Sequence, residues 1–251
     1  MREVTGLVAW VTGAGTGIGE ATAVMLGAAG VKVALSGRRA DLLADVAARI
    51  NAAGGAAMDV PLDVTDRDGV IAAAAQITAE FGQIDILFNN HGMNVQNRDW
   101  AGSALEGWDD VIDVNVKGVY NCTAAVLPGM RQRGDGLIIN TASMAGKRYS
   151  RRAGVAYGAS KHAVMALNEL LNLEEGNNGI RACAICPGEV NTAILDYRPV
   201  PVPAEDRARL IQADDVAETV LFVARLNPRS CPNEILLTPT HTRALQPGEP
   251  G

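Results

Sequence analysis

The stretch TGAGTGIG, residues 12–19, follows the apolar run GLVAWV and opens a helix-patterned run over 17–29. Its glycines at 13, 17 and 19 make the spacing T-G-x3-G-x-G. Such glycines serve a tight turn, a close approach of backbone to ligand, and a helix N-terminus whose N–H groups face an anion. Between a first strand and a first helix, they point to a β-α unit that can hold the diphosphate of a dinucleotide. Gly13, Thr16, Gly17, Ile18 and Gly19 are the candidate contacts. The plainer alternative is a purely structural β-α turn.

The rest of the chain repeats the alternation. VKVALSG reads as a second strand with a helix over 39–53, and AAMDVPLDV holds a third, with a helix over 66–82. IDILFNN is a fourth, followed by helices over about 103–112 and 115–133. GLIINTAS is a fifth, with a helix from about 155 to 175, and IRACAICPG a sixth. Helices near 204–211 and over 214–226 lead to a last strand, EILLTP. Strands alternating with helices imply right-handed crossovers and a parallel sheet. Strands apolar throughout imply helices on both faces. The expected fold is α/β: a single-domain, Rossmann-like, doubly wound parallel sheet of about seven strands. One domain over 1–243 suffices for 251 residues, with a Pro/Gly-rich tail at 244–251 expected to fray.

Composition narrows the function classes. A net charge of −6 disfavours nucleic acid, which wants a basic face. No apolar run is long enough to span a bilayer. The N-terminus leads into the glycine loop rather than a cleavage site, so a mature cytosolic start and a cytoplasmic location are expected. Cys183 and Cys186 form a C-x-x-C, open to a redox reading, but they lie in a strand-like run where positions three apart face opposite ways. Two buried structural thiols are the favoured reading. His91, His162 and His241 share no metal-ligand spacing, so no metal is expected.

The glycine spacing resembles that of the short-chain dehydrogenase/reductase family, and separated motifs along nearly the whole chain agree. LDV at 62–64 puts Asp63 and Val64 after strand three, where the family holds the adenine. NNHG at 89–92, with Asn90 and Gly92, stands where the family shows N-N-A-G; His91 replaces the alanine and alters packing beside the cofactor. Asn115 in DVNVKG matches the family's helix asparagine, and Ser143 follows strand five. PGEVNT, with Pro187, Gly188, Val190 and Thr192, matches the segment along the nicotinamide end.

Strand two ends in ALSGRR, with Gly37 where NAD-type members carry Asp. An acid there would repel a 2′-phosphate. The Ser36 hydroxyl and the Arg38 and Arg39 guanidinium groups suit a phosphate dianion. Arginines at a helix start are otherwise unfavourable. NADP(H) is therefore expected over NAD(H).

Tyr157 and Lys161 stand four apart, on one face of a helix. A phenol of pKa about 10 is too weak a base near neutrality. An adjacent ammonium and an oxidised nicotinamide both favour the phenolate. The resemblance implies a catalytic set of Asn115, Ser143, Tyr157 and Lys161. Tyr157 would move the proton, Lys161 tune it and reach the nicotinamide ribose, Ser143 bond the substrate oxygen, and Asn115 hold a water that links Lys161 to solvent. Ser143 and Tyr157 are 14 positions apart, one more than the commonest family spacing, which enlarges the intervening loop.

That loop, GKRYSRRAG, carries Lys147, Arg148, Arg151 and Arg152. Arg148 and Arg152, beside Ser143 and Tyr157, are candidates to meet a substrate carboxylate, and a solvated loop or subunit contact is the alternative. Three prolines in RPVPVP stiffen the segment over 193–212, which suits a small or medium hydroxy or oxo compound. Ala159, Ala163, Ala166 and Leu170 share a helix face, a spacing more often core than partner surface. The family, however, pairs this helix and its predecessor between subunits, so a homodimer or homotetramer is expected. The activity expected is hydride transfer between a nicotinamide and an alcohol or carbonyl. A non-catalytic dinucleotide sensor on the same fold is the alternative, since fold does not dictate function. A sugar-nucleotide epimerase or dehydratase would need a larger C-terminal region.

Overall fold

Among the described residues, seven strands pair in parallel throughout: β1 Val8–Thr12, β2 Lys32–Gly37, β3 Ala56–Pro61, β4 Ile86–Asn89, β5 Gly136–Thr141, β6 Ile180–Pro187 and β7 Glu234–Leu237. Their order in the sheet is β3-β2-β1-β4-β5-β6-β7. The helices are α1 Gly17–Ala28, α2 Ala40–Ala52, α3 Arg67–Phe81, α4 Leu105–Ile112, α5 Gly118–Arg133, α6 Val155–Glu175, α7 Ala204–Arg207 and α8 Ala213–Arg225. This computed structural model describes residues 1–101, 105–198 and 200–241, so the proposed tail at 244–251 lies outside the described residues.

Side chains alternate across each strand, and both faces are apolar. On β1, Ala9 and Val11 join one core with Leu26 of α1, Leu43 and Ile50 of α2, and Val216 and Val220 of α8. Val8 and Trp10 join the opposite core with Val70 and Ile77 of α3 and Val126 and Met130 of α5. That division is the doubly wound arrangement. The chain builds outward from β1 to β3, then returns across β1 to start β4. The reversal leaves a crevice at the carboxyl ends of β1 and β4, where loops diverge to opposite faces.

Cys183 packs in the first core and Cys186 against Val164 of α6 on the other side, so the two thiols are separated by the sheet. Burial raises both pKa values, to about 12 for Cys183 and about 11 for Cys186, so both remain thiols.

The break expected between helices near residue 113 is instead a π-helical turn, Asp113–Lys117, that joins α4 to α5 without leaving the helical path. Single π turns inside helices often mark functional positions. Here the turn carries Asn115, fully buried.

Buried amides tie the carboxyl ends of the central strands together. Asn89 Nδ2 donates to Asn140 Oδ1 at 2.9 Å, Asn140 Nδ2 to Asn168 Oδ1 at 3.0 Å, and Asn168 Nδ2 to the Asn233 carbonyl at 2.9 Å. Asn140→Leu would leave its neighbours' groups buried without this partner, at about 1–3 kcal/mol for each orphaned group. The variant is expected to melt roughly 5–15 °C lower, and a change under 2 °C in a thermal melt would show that the chain of amides contributes nothing to stability.

Candidate active site

The glycine loop folds as its residue types require. Gly13 and Gly17 have φ of +62° and +60°, which side chains rarely adopt. A Cβ on Gly19 would lie 2.2 Å from the Gly13 carbonyl oxygen, so this glycine lets α1 close on its own loop. Thr16 caps α1 with extended backbone but without a side-chain hydrogen bond to the helix. Its hydroxyl instead accepts from Arg39 Nη2 at 3.1 Å. The first turn of α1 therefore presents its N–H groups to the crevice without a capping side chain, as an anion cradle does.

Gly13, Thr16, Gly17, Ile18, Asp63, Val64, Asn90 and Gly92 line one continuous cleft with Gly37, Arg38 and Arg39. Pro187, Gly188, Val190 and Thr192 close its far wall, and Thr192 packs on Gly17. The donor set fits a dinucleotide: uncapped N–H groups where a diphosphate would lie, and two guanidinium groups at the end of β2 where a further phosphate would lie. Asp63 lies in this wall, and the Thr65 N–H and hydroxyl hold its carboxyl below the usual carboxylate range. Asn90 secures the loop, donating to the Gly13 carbonyl at 3.3 Å and accepting from Thr141 Oγ1 at 3.1 Å.

Two cofactor expectations need correction. Ser36 does not face the cleft: it is fully buried, and its hydroxyl accepts from the Trp10 indole N–H at 2.9 Å. On β2 it shares the strand face of Ala34, which packs with Trp10 in the second core. Pleat parity thus sends Gly37, not Ser36, toward the ligand side. Ser36 contributes through its carbonyl, which accepts from the Ala14 N–H at 3.1 Å. Gly19 likewise does not line the cleft and acts by its packing.

His91, which replaces the alanine of N-N-A-G, is buried with Nδ1 2.7 Å from Thr12 Oγ1. Burial, then the nearby Lys161 charge, push its pKa down to about 3, so the ring is neutral. A Cβ on Gly118 would come within 2.7 Å of His91 Nε2. The room for the larger ring is thus supplied by a glycine 27 positions away, and the loop backbone is preserved.

Ser143, Tyr157 and Lys161 line the same cleft. Ser143 Oγ accepts from the Ala145 N–H at 3.1 Å as it caps the short Met144–Gly146 turn, which leaves its own O–H to donate elsewhere. Burial pushes the Tyr157 phenol above its ordinary 10, while a hydrogen bond from Ser143 and the charges of Arg98 and Arg198 oppose that rise. Lys161 Nζ donates to the Thr141 carbonyl at 2.7 Å and sits 5.5 Å from the centre of the Tyr157 ring.

Asn115 is placed by the π turn between two segments of the site. Its Oδ1 accepts from the Met93 N–H at 2.8 Å, and its Nδ2 donates to the Met93 carbonyl and to Ser160 Oγ, each at 3.0 Å. Ser160 Oγ in turn donates to the Tyr157 carbonyl at 2.8 Å. Asn115 lies behind the cleft lining and fastens the 92–93 turn to α6. A Cβ on Gly92 would stand 3.5 Å from both Asn115 Oδ1 and Lys161 Nζ, so the two groups converge on one small space.

Lys161 is only 3% exposed, and burial pushes its pKa down to about 8 from 10.5. The folded state therefore carries a penalty on the order of 3 kcal/mol at pH 7 for the buried charge. The folded form loses that proton before the unfolded chain does, so the penalty fades as pH rises from about 8 toward 10.5. Lys161→Met is expected to melt no lower than the parent at pH 7, with any advantage shrinking by pH 9.5. A difference in melting temperature that stays constant across that range would refute the buried charge.

At the far end of the cleft, Arg148 is exposed, and Arg152 Nη1 pairs with Glu189 Oε1 at 3.1 Å. Arg198 Nη1 reaches the same oxygen at 2.6 Å. Arg98 Nη1 donates to the Arg152 carbonyl at 2.8 Å. Sequence reasoning singled out neither Arg98 nor Arg198, nor Glu189 within PGEVNT. Arg98 follows NNHG by six positions and Arg198 sits before RPVPVP's first proline, with no motif to flag either. Of the four residues that share a face of α6, Ala159, Ala166 and Leu170 are exposed, Leu170 to 50%, and Ala163 is partly buried, so this face is not core.

Among the described residues, no cluster of His, Cys, Asp or Glu could hold a metal ion, and no helix is long and apolar enough to cross a membrane.

A family model described as short chain dehydrogenase matches residues 7–199. The uncharacterized oxidoreductase SAR2567 of Staphylococcus aureus is 35% identical over 240 residues, covering 95% of this chain and all of that protein. Glycine betaine reductase ATRR of Emericella nidulans is also 35% identical, over 241 residues, which are 94% of this chain but 19% of that much longer protein. Among solved structures, a metagenomic short-chain oxidoreductase in complex with NADP superposes with a TM-score of 0.83 at 32% identity, over 96% of this chain and 100% of that one.

Proposed function

The chain belongs to the short-chain dehydrogenase family of oxidoreductases, and from that premise we propose that it is an NADP(H)-dependent alcohol dehydrogenase or carbonyl reductase acting on a small or medium substrate. The observation that carries this reading is one cleft that joins the glycine cradle and the Arg38–Arg39 pair to Ser143, Tyr157 and Lys161. A dinucleotide sensor would need the first half of that cleft only.

In the proposed mechanism the bound dinucleotide supplies hydride chemistry. Gly13, Thr16, Gly17 and Ile18 would hold its diphosphate, Asp63 and Val64 would border the adenine, and Arg38 and Arg39 would hold the 2′-phosphate. Pro187, Gly188, Val190 and Thr192 border the nicotinamide end. Tyr157 gives its phenolic proton to the substrate oxygen in reduction and takes it back in oxidation. Ser143 donates a hydrogen bond to that oxygen and so favours the developing charge. Lys161, held on the Thr141 carbonyl, would reach the ribose hydroxyls of a bound dinucleotide, and Asn115 secures the segment at 92–93 and the helix on which both depend. We propose further that the outward α6 face, with Tyr120, Leu170 and Leu173 exposed nearby, pairs two chains into a homodimer or homotetramer of the cytoplasm. Light scattering that finds a monomer at micromolar concentration would overturn the pairing.

A panel of neutral alcohols and ketones, assayed by nicotinamide absorbance with NADP(H) and NAD(H), tests the activity. Turnover that is faster with NADP(H) is expected. Binding of NADPH without turnover of any member would favour the sensor.

A further inference from the structure

His91 has no task in the mechanism above, yet its ring is buried at a cost. Nδ1 stands 2.7 Å from Thr12 Oγ1, while Nε2 is buried and makes no hydrogen bond among the described residues. The Thr12 hydroxyl has one proton and also faces the Phe88 carbonyl, 3.1 Å away, which can only accept. If Nδ1 carries the ring proton, Nε2 is a bare acceptor with no donor. If Nε2 carries it, its N–H has the Val114 carbonyl, which acts on the ring without a formed hydrogen bond. Nε2 is short of a partner in both tautomers, which is unfavourable for a buried group. The alanine of N-N-A-G would bear no such cost.

The surroundings show what the ring does in return. Thr12 ends β1. Gly118 opens α5 directly after the π turn that carries Asn115, and a Cβ there would lie 2.7 Å from His91 Nε2. Gly92, the next residue, borders the space on which Asn115 Oδ1 and Lys161 Nζ converge. The Lys161 charge acts on the His91 ring. The imidazole is thus a wedge between the carboxyl end of β1 and the elements that carry Asn115 and Lys161. With alanine at 91, the vacated space would face Thr12 Oγ1 and the Val114 carbonyl. Two polar partners are enough to hold a water there.

We propose that His91 is a positioning residue that seals the space behind Lys161 and Asn115 against water, so that the Lys161 ammonium stays on the Thr141 carbonyl. Its value for hydride transfer rests on the dehydrogenase reading above, whereas the seal is a property of the folded chain. An ammonium with no water to turn to keeps one place for a bound cofactor, and small misplacements at a reacting centre are costly.

The test follows the melting temperature of the full chain at pH 7 and pH 9.5, with and without Lys161→Met. The advantage of Lys161→Met is expected to be larger at pH 7, because burial penalises the ammonium until it loses its proton. The other titratable groups facing Lys161 are Tyr157 on its own helix, His91, and Cys186 of β6. Burial keeps the phenol and the thiol protonated and the imidazole neutral over that range. In His91→Ala the pH-dependent part of the advantage is expected to shrink to less than about half, because water reaches the ammonium. His91→Leu, which fills the space without a polar atom, should keep most of it. Ile77→Val, in the core under α3, lowers stability away from the site and should leave it as in the parent.

An undiminished pH-dependent part in His91→Ala would overturn the seal. So would equal losses in His91→Ala and His91→Leu, a loss in Ile77→Val, or a parent advantage equal at the two pH values. Should His91→Ala fail to fold, His91→Ser takes its place with the same outcomes. Activity is read separately, with any alcohol the panel finds. His91→Ala is expected to lower kcat roughly tenfold, and His91→Leu to recover part of that. An unchanged kcat in His91→Ala would remove the positioning role. If no alcohol is oxidised, the dehydrogenase reading falls, and the melts still judge the seal.

Discussion

Tyr157→Phe is expected to lower kcat by about 10²- to 10⁴-fold, the range that a positioned acid-base group contributes. The phenylalanine ring fills nearly the same volume, so NADPH affinity should change less than about threefold, as read by fluorescence titration. The loss should be in kcat, because the proton is moved only in the reaction. The structure adds a direction for pH. Burial holds the phenol above its ordinary value, and the counterweights from the protein include Ser143, Arg98 and Arg198. Alcohol oxidation, which needs the phenolate, should therefore rise with pH from neutrality upward. Ser143→Ala should move that rise to higher pH, since it removes the largest of the counterweights. Turnover of Tyr157→Phe within tenfold of the parent would remove the assigned role.

The second large effect is in cofactor choice. In Gly37→Asp combined with Arg38→Leu, the preference for NADPH over NADH in kcat/KM is expected to fall by at least about 10²-fold. Removing one charged contact costs about 1.5–3 kcal/mol, and a carboxylate beside a phosphate dianion adds repulsion. The new side chain has room: a Cβ on Gly37 meets only Leu43 Cδ2, at 3.7 Å. Arg39 should be left in place, because its Nη2 reaches Thr16 at the glycine loop and ties the start of α2 to the cradle. Measuring both cofactors with one substrate decides the matter. An unchanged preference would show that the β2 end does not read the 2′-phosphate.

The amino-acid sequence by itself determined what depends on neighbours along the chain. Alternating apolar runs and helical patterns specify the parallel sheet, because pleat and helix periods are local properties. The loop at 12–19 shows its purpose through glycines whose positive φ values are now visible. Tyr157 and Lys161 share a helix face by spacing alone. Tertiary structure decided what depends on distance in space. Ser36 turns to Trp10 because the register of β1 and β2 sets which face it occupies. His91 is tolerated because Gly118, on another element, yields the volume. Lys161 bonds the Thr141 carbonyl because β5 ends beside α6. Arg98, Arg198 and Glu189 converge although 91 residues separate the first from Glu189 and nine more the second. Loops at the carboxyl ends of parallel strands are gathered by the sheet, and no periodicity within a loop records which others it will meet.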